Sequence, residues 1–201
     1  MMSTLFPLII EHMMIVAIAM AISVVIGIAL GVVCYWVKFF DSIILWVVET
    51  IQTIPSLALL ALLMIVFGLG NVTVVVGLTL YALLPIVRNT YTGLNSVSPH
   101  LRDAARGMGM SRMQRLLKVE LPLAFPLIFS GIKISVVNSL SIAVMGVLIG
   151  GGGLGYPIYR GIQTRNFVRI MTGGVPVILM ALVFDYAMSK FEHRLMRKAK
   201  R

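Results

Sequence analysis

Negatively charged residues are scarce in this sequence of 201 residues, which contains seven Asp and Glu against seventeen Lys and Arg. Charged residues of both signs make up only 12% of the chain, whereas 59% of its residues are hydrophobic. Several apolar runs exceed the ~18 residues that are typical of a transmembrane helix. The composition therefore excludes an ordinary soluble domain and predicts an all-α membrane protein.

Cysteine and histidine are also rare. The single cysteine, Cys34, excludes an internal disulfide. His12, His100 and His193 are isolated and lack the spacing of metal ligands, so we predict no metal site. No Lys or Arg precedes Lys38, and the first hydrophobic run therefore lacks the basic region of a cleaved signal peptide. We expect that run to be a retained helix.

The chain also lacks a nucleotide-binding motif. The glycine-rich run from Gly150 to Gly155 is not followed by Lys-Ser or Lys-Thr, as a phosphate-binding loop would be. No soluble βαβ unit surrounds it, which argues against a dinucleotide-binding fingerprint. We predict no catalytic residue and no cofactor in this chain, and we interpret residues 150–173 as a flexible polar loop between two helices.

Hydrophobic runs of about 20 residues predict five transmembrane helices within a single membrane domain, residues 1–201. Three prolines, Pro55, Pro85 and Pro176, lie inside these runs and are expected to kink or break their helices. The predicted helices cover residues 13–37, 42–67, 72–90, 125–149 and 174–191.

Basic residues are concentrated in two places, which predicts the orientation of the chain in the cell membrane. Six of them lie between Arg88 and Lys118, and six more lie between Lys190 and Arg201, mostly in a predicted cytoplasmic tail, residues 192–201. Lys and Arg are retained on the cytoplasmic side, so the N-terminus is expected outside and the C-terminus inside. Such a distribution indicates contact with the lipid bilayer and membrane topology rather than nucleic-acid binding.

The polar segment 98–122 is predicted to form two short amphipathic helices. Ser98 followed by Pro99 is typical of a helix start, and Gly107 or Gly109 can end that helix. A second start follows at residue 111, where a Ser and a Gln three residues later have the spacing of a capping box. Pro122 is expected to end the second helix. On amphipathicity alone, the segment could equally rest on anionic lipid.

The same segment carries a long motif. An acid and two alanines at 103–105 are followed by three residues, a glycine at 109, nine residues, and Val-Glu-Leu-Pro at 119–122. This spacing resembles the EAA signature of ABC-importer permeases, with Asp in place of the usual Glu and Val in place of the usual Ile. The resemblance implies the fold of a type I importer permease in its minimal five-helix form. It also implies that the segment docks on a separate cytoplasmic ATPase dimer, which would hold ATP and Mg²⁺. The coupling residues so implied are Asp103, Ala104, Ala105, Gly109, Arg112, Leu121 and Pro122.

The resemblance further implies an extracytoplasmic substrate-binding protein and a second permease chain, either an identical copy or a sister permease. It implies that the glycine-rich stretch before Tyr156-Pro157 belongs to an outer gate. Residues 49–58, 104–110 and 152–166 are similar to the permeases for quaternary amines, which implies uptake of glycine betaine, carnitine or choline. Methionine permeases share the helix count and the coupling element and are the nearest alternative. A passive channel or membrane scaffold is an alternative of a different class.

Polar residues near position 50 suggest a translocation pathway, because ionisable groups at membrane depth usually face a cavity. On helical spacing, four of them share one face, and the proline beside them frees backbone carbonyls. The alternative is that these side chains hydrogen-bond neighbouring helices and hold the fold. An unpaired carboxylate is costly in hydrocarbon, so the glutamate should have a partner. The candidate pathway residues are Glu49, Gln52, Thr53, Pro55 and Ser56.

Overall fold

The computed structural model describes residues 2–199, with side chains described from 5 to 197, and it is helical throughout its regular parts. The last two residues of the predicted basic tail, 200 and 201, lie outside the described residues. The α-helices within the described part are α1 (Met2–Trp36), α2 (Lys38–Thr53), α3 (Ser56–Phe67), α4 (Asn71–Asn95), α5 (Pro99–Gly107), α6 (Arg112–Arg115), α7 (Leu121–Ile142), α8 (Gly155–Gln163) and α9 (Phe167–Ala199).

Four stretches are long and apolar enough to cross a membrane, and a bent pair, α2 with α3, raises the number to five if it is counted as one span. The prediction of five spans is therefore confirmed in this form. The first and last helices extend well beyond the predicted ranges 13–37 and 174–191. Hydrophobicity marks only the apolar part of a helix, whereas the backbone hydrogen-bond ladder continues through its polar ends.

The single helix predicted over residues 42–67 is wrong. α2 ends at Thr53 and α3 begins at Ser56, and the two axes differ by 103°. Pro55 has no N–H to donate, and it holds the preceding residue, Ile54, in an extended conformation with φ −70° and ψ 127°. The break expected at Pro55 is thus confirmed. Pro85 and Pro176, in contrast, lie inside the unbroken helices α4 and α9.

Pro122 does not end the second short helix, contrary to prediction. α6 continues through a π-helical turn, Leu116–Glu120, directly into α7. A π turn already departs from α-helical hydrogen bonding, and the proline that follows it lies in the first turn of α7, where its missing N–H is tolerated.

The loop predicted over residues 150–173 is also wrong in part. The chain leaves α7 through a 3₁₀ segment, Ala143–Ile149, and then forms α8 inside the predicted loop. Glycine content suggested flexibility there, but α8 packs closely against α9: a Cβ at Gly161 would lie 2.7 Å from Ile170 Cγ1. Tertiary packing overrides low helix propensity at this position.

α4 lies at the centre of the molecule, between α1 and α7, while α9 packs on α7 and α8. Small residues allow the close approach of α1 to α4. A Cβ at Gly27 would lie 2.7 Å from Ile86 Cγ2, and one at Gly31 would lie 2.5 Å from Thr90 Cβ. Small residues at this spacing let membrane helices pack closely. The core around the crossing includes Ile15, Ala19, Leu78, Ala82 and Leu140.

Candidate coupling surface and translocation cavity

The segment 98–122 forms a helical hairpin whose turn is set by local sequence. Pro99 occupies the first turn of α5, and Gly109 has a φ of +77°, a left-handed conformation that a side chain with a Cβ resists. The Ser111 hydroxyl accepts from the Gln114 backbone N–H at 3.3 Å, and the Gln114 carboxamide oxygen accepts from the Ser111 N–H at 2.9 Å. The predicted capping box is confirmed.

Two arginines fasten this hairpin to the end of α1. The guanidinium of Arg102 lies 5.7 Å from the ring centroid of Tyr35, and that of Arg112 lies 5.1 Å from the ring of Trp36. Arg112 also donates to the backbone carbonyl of Trp36 at 3.0 Å. Each stacked pair is a cation–π contact. The hairpin is therefore held to the membrane helices by side chains that leave most of its own surface uncovered.

A buried ion pair lies where the hairpin enters α7. Arg115 Nε is 2.8 Å from Glu120 Oε1, and the glutamate side chain is completely inaccessible to solvent. Within the described residues, the second oxygen of Glu120 has no hydrogen-bond partner. Glu120 belongs to the motif, but no role was predicted for it. Its acidic side chain among the apolar or imino residues Val119, Leu121 and Pro122 was the available signal.

The outer surface of the hairpin combines charge with exposed apolar side chains. Asp103 pairs with Arg106 at 3.5 Å and both side chains are largely exposed. Among the predicted coupling residues, Ala105 is buried, Leu121 is half-buried, and Ala104, Gly109, Arg112 and Pro122 are exposed. The large apolar side chains exposed on the hairpin are Leu101, Met108, Met113 and Leu117. We call these four residues, with Asp103 and Ala104, the coupling surface. Exposed apolar surface rimmed by charged residues is typical of a protein or membrane interaction site.

The predicted pathway face is only partly formed. Because the chain bends between Thr53 and Ser56, the four polar residues do not share one continuous helical face, and that expectation is wrong. Glu49 Oε1 lies 2.9 Å from Arg88 Nη2 on α4, which supplies the partner that a membrane carboxylate needs. Thr53 donates to the carbonyl of Thr50 in its own helix.

Two hydrogen bonds join the chain next to Pro55 to the turn of α4 that precedes Pro85. Pro85 cannot donate to the carbonyl of Tyr81 one turn earlier, and the side-chain amide of Gln52 donates to that carbonyl at 3.3 Å. In return, the Tyr81 hydroxyl donates to the carbonyl of Ile54, which precedes Pro55 at the break. Gln52 thus satisfies the carbonyl that Pro85 leaves without a partner, which explains how α4 passes Pro85 without breaking. Tyr81 satisfies the carbonyl that precedes Pro55.

One cavity, of about 450 Å³, lies along the polar face of α9. A second cavity lies next to the two hydrogen bonds between α2 and α4. This second cavity has a volume of about 270 Å³ and contains Gln52 as its only predicted pathway residue. It is lined by Gln52, Tyr81, Ala82, Ser135, Asn138, Ser139 and Ile142, and we call it the central cavity. The first cavity is lined by Tyr186, Ser189, Lys190, His193, Arg194 and Arg197. Tyr81 on α4 was not predicted as a pathway residue. Ser135, Asn138 and Ser139 on α7 were not predicted either, although their spacing of three and four residues was an available signal.

The glycine-rich segment that follows the 3₁₀ turn is hydrogen-bonded to α1 and α4. Glu11 accepts from the N–H of Gly153 at 2.9 Å and from the amide of Asn71 at 3.2 Å. Asn71 in turn accepts from the N–H of Gly152 at 2.7 Å. A Cβ at Gly152 would overlap the Glu11 carboxylate, which could not keep this position beside a larger residue. We call these four residues the glycine clamp.

No metal-binding geometry accompanies these sites: within the part of the chain that the structure describes, no group of three or more His, Cys, Asp or Glu side chains could hold an ion.

Comparison with solved structures identifies the fold. The chain superposes on an inward-facing structure of the MetNI methionine ABC transporter with a TM-score of 0.85, at 24% identity and with 97% of both chains covered. A second structure, titled as an amino acid ABC transporter with histidines, gives a TM-score of 0.78 at 21% identity, with 96% of each chain covered. These likenesses show the fold of an ABC importer permease.

Sequence comparison gives the family. The choline transport system permease protein OpuBB of Bacillus subtilis is 40% identical over 185 residues, which is 92% of this chain and 85% of that protein. The osmoprotectant import permease protein OsmW of Salmonella typhimurium is 37% identical, with 90% and 87% covered. Residues 23–197 match the family described as the inner membrane component of binding-protein-dependent transport systems. The chain belongs to this family of ABC-transporter permeases, and it is an integral membrane transport subunit rather than an enzyme.

Proposed function

We propose that this permease takes up quaternary-ammonium osmoprotectants of the glycine betaine, carnitine and choline class. The observation that carries the proposal is similarity over nine-tenths of the chain, at 36–40% identity, to permeases named for choline, for osmoprotectants and for glycine betaine, carnitine and choline. Methionine, the nearest alternative, is supported only by fold, since the solved methionine transporter is 24% identical.

The coupling surface is proposed as the docking site of a separate ATPase, which would bind ATP and Mg²⁺. Exposure of Leu101, Met108, Met113 and Leu117 on a hairpin outside the predicted spans supports this role, because exposed apolar side chains beside charged ones mark interaction sites. The family resemblance of the motif favours a protein partner over the lipid surface. Asp103, Ala104 and Gly109 would contribute charge, close approach and the turn. Ala105, Arg112, Leu121 and Pro122 would fix the hairpin to α1 and α7. A passive channel would have no use for such a surface.

The proposed route of the solute runs past the break between α2 and α3. Gln52, Pro55 and Ser56 lie at this break, and Gln52 also lines the central cavity. Thr53 is the last residue of α2, at the edge of the break, and Glu49 lies one turn earlier on α2. We assign Glu49, paired with Arg88, to the wall of the route rather than to a bare cation site.

The arrangement of partners is likewise a proposal. Asn138 on the wall of the central cavity is exposed, so a second permease chain, identical or a sister, would close the route. The basic coupling hairpin and the end of α9 are assigned to the cytoplasm, and the N-terminus and the glycine clamp to the outside, where a substrate-binding protein would deliver solute.

The test is uptake by proteoliposomes that contain the permease, its ATPase and its binding protein. We expect ATP-dependent accumulation of labelled choline or glycine betaine, with no competition by methionine in excess. Accumulation of methionine in place of the quaternary amines would identify the wrong substrate class, and uptake without ATP would indicate a passive channel.

A further inference from the structure

We propose that the central cavity is a weak transit site that selects N-methylated ammonium groups over primary ammonium groups. This inference rests on the proposed function and goes beyond it, because it assigns discrimination to the permease itself and not only to the binding protein. The central cavity has a volume of about 270 Å³, below the ~300 Å³ at which pockets for drug-sized ligands begin, and it therefore suits a small solute.

The lining carries no formal charge. Its seven residues are three apolar or aromatic side chains, two serines and two carboxamides. A primary ammonium is compact and strongly hydrated, and transferring it into a neutral site without a carboxylate is unfavourable. A quaternary ammonium spreads its charge over methyl groups, has no N–H to satisfy, and is recognised by aromatic faces. Neutral polar walls therefore favour the methylated group.

Most hydrogen-bond donors of the lining are already engaged within the protein. Ser135 donates to the carbonyl of Ala82 at 2.9 Å, and Ser139 donates to the sulfur of Met20 at 3.6 Å. The Gln52 amide donates to the Tyr81 carbonyl. These side chains therefore offer oxygen acceptors to a cation and few donors to an anion, so the preference for the methylated group rests on the missing carboxylate and on the ring of Tyr81.

Tyr81 supplies the aromatic group at a fixed position. Its hydroxyl proton is directed to the carbonyl of Ile54 at the α2–α3 break, so its ring is held at both ends, by that bond and by α4. A restrained ring loses little freedom when a cation binds. Tyr81 would therefore form the cation–π contact with the methylated head group.

Asn138 is the remaining donor. Its side chain is exposed at the wall of the cavity. It would receive the polar end of the solute, which is a hydroxyl in choline and a carboxylate in glycine betaine or carnitine. One site can then accept the whole class of solutes.

The only nearby carboxylate on α2, Glu49, is neutralised by Arg88 and does not line the cavity. A free carboxylate would strengthen binding of every cation, primary amines included, and would slow release. Conduction requires binding that is favourable enough for entry and weak enough for exit. A neutral site meets both requirements.

Thiol modification tests the selectivity without the binding protein. An Asn138→Cys variant is treated in the detergent-solubilised permease–ATPase complex with trimethylammonioethyl methanethiosulfonate. The thiolate displaces methanesulfinate and forms a mixed disulfide. The native Cys34 is 1% exposed and is replaced by Ala to remove background. With a dissociation constant on the order of 10 mM, about 10 mM choline should halve the modification rate, and ethanolamine at that concentration should leave it unchanged.

Two further variants separate the cause. Tyr81→Phe keeps the ring, and protection by choline should persist; Tyr81→Leu removes the ring and should weaken protection about fivefold, the equivalent of ~1 kcal/mol of cation–π interaction. A Gln163→Cys control on the exposed surface of α8 should react without protection in every background.

Equal protection by choline and ethanolamine, or none by either, would overturn the assignment of the central cavity. Uptake of choline by proteoliposomes of the cysteine-free protein is measured in parallel. Intact uptake with no protection would reject only the transit site, whereas absent uptake with an intact complex would reject the proposed function itself.

Discussion

The coupling hairpin and the glycine clamp are both fastened to α1, at opposite ends of that helix, but by different chemistry. At the hairpin, long side chains reach across: Arg102 and Arg112 stack on the aromatic rings of Tyr35 and Trp36. At the clamp, Glu11 accepts the backbone N–H of Gly153 directly, and a Cβ added at Gly152 would overlap the Glu11 carboxylate.

Because the two attachments differ, the clamp and the hairpin leave different surfaces exposed. The clamp satisfies its polar groups internally through Asn71 and two glycine N–H groups, and it presents no partner surface of its own. The hairpin is attached through its arginines and the buried Glu120, and the side chains of the coupling surface remain exposed to solvent. One end is closed by contacts within the chain, and the other leaves an exposed surface, which we propose as the docking site of the ATPase.

The largest effect is expected at the base of the hairpin. Glu120→Ala leaves the guanidinium of Arg115 largely buried without its counter-charge, and breaking such a pair typically destabilises a protein by about 3–5 kcal/mol. We expect a large drop in the thermal denaturation temperature of the solubilised complex. Asp103→Ala, which breaks an exposed pair, is the matched control and should change stability by about 1 kcal/mol or less. Equal stability of the two variants would remove the distinction between buried support and exposed surface.

A smaller effect is expected at the glycine clamp. In Gly152→Ala, the new Cβ would overlap the Glu11 carboxylate, and overpacking of this kind destabilises by about 1–3 kcal/mol. Shortening the acid in a Gly152→Ala, Glu11→Asp double variant should restore part of the stability. Gly174→Ala in α9 is the control, because no atom lies within 4 Å of its added Cβ. If Gly152→Ala were as stable as Gly174→Ala in thermal denaturation, the close approach would not matter to the fold.

Local signals explain what could be predicted from sequence in these two regions. The capping box at Ser111 and the left-handed turn at Gly109 depend on a few neighbouring residues, and both were foreseen. The pairing of Glu11 with Gly153 joins residues 142 positions apart, and hydropathy carries no information about it. α8 was missed because its glycines suggested a loop, while its packing against α9 stabilises a helix there.

The pathway illustrates the same limit. Pro55 was expected to disturb its helix, but whether the result is a kink or a bend of 103° depends on the carbonyls that neighbouring side chains satisfy. Gln52 was identified as polar at membrane depth, yet its partner, the Tyr81 carbonyl freed by Pro85, depends on how α2 lies against α4. The central cavity is therefore a property of helix packing that no single segment encodes.

The smallest effect on stability is expected for Asp103→Lys on the coupling surface. This variant also tests most directly whether the hairpin differs from the glycine clamp in function. The substitution removes only an exposed contact with Arg106 at 3.5 Å, so the thermal denaturation of the permease should stay within about 1 kcal/mol of wild type. If the surface binds the ATPase, reversing the charge there should abolish co-purification of the ATPase, or substrate-stimulated ATP hydrolysis, despite an intact fold. Gln163→Lys adds a positive charge to the exposed face of α8, next to the glycine-rich end, and should leave both readouts unchanged. Stimulated hydrolysis at the wild-type rate in Asp103→Lys would show that this residue is not part of the coupling surface. Loss of hydrolysis in both variants would show instead that added charge acts nonspecifically, and the contrast between the two ends of α1 would then lose its functional meaning.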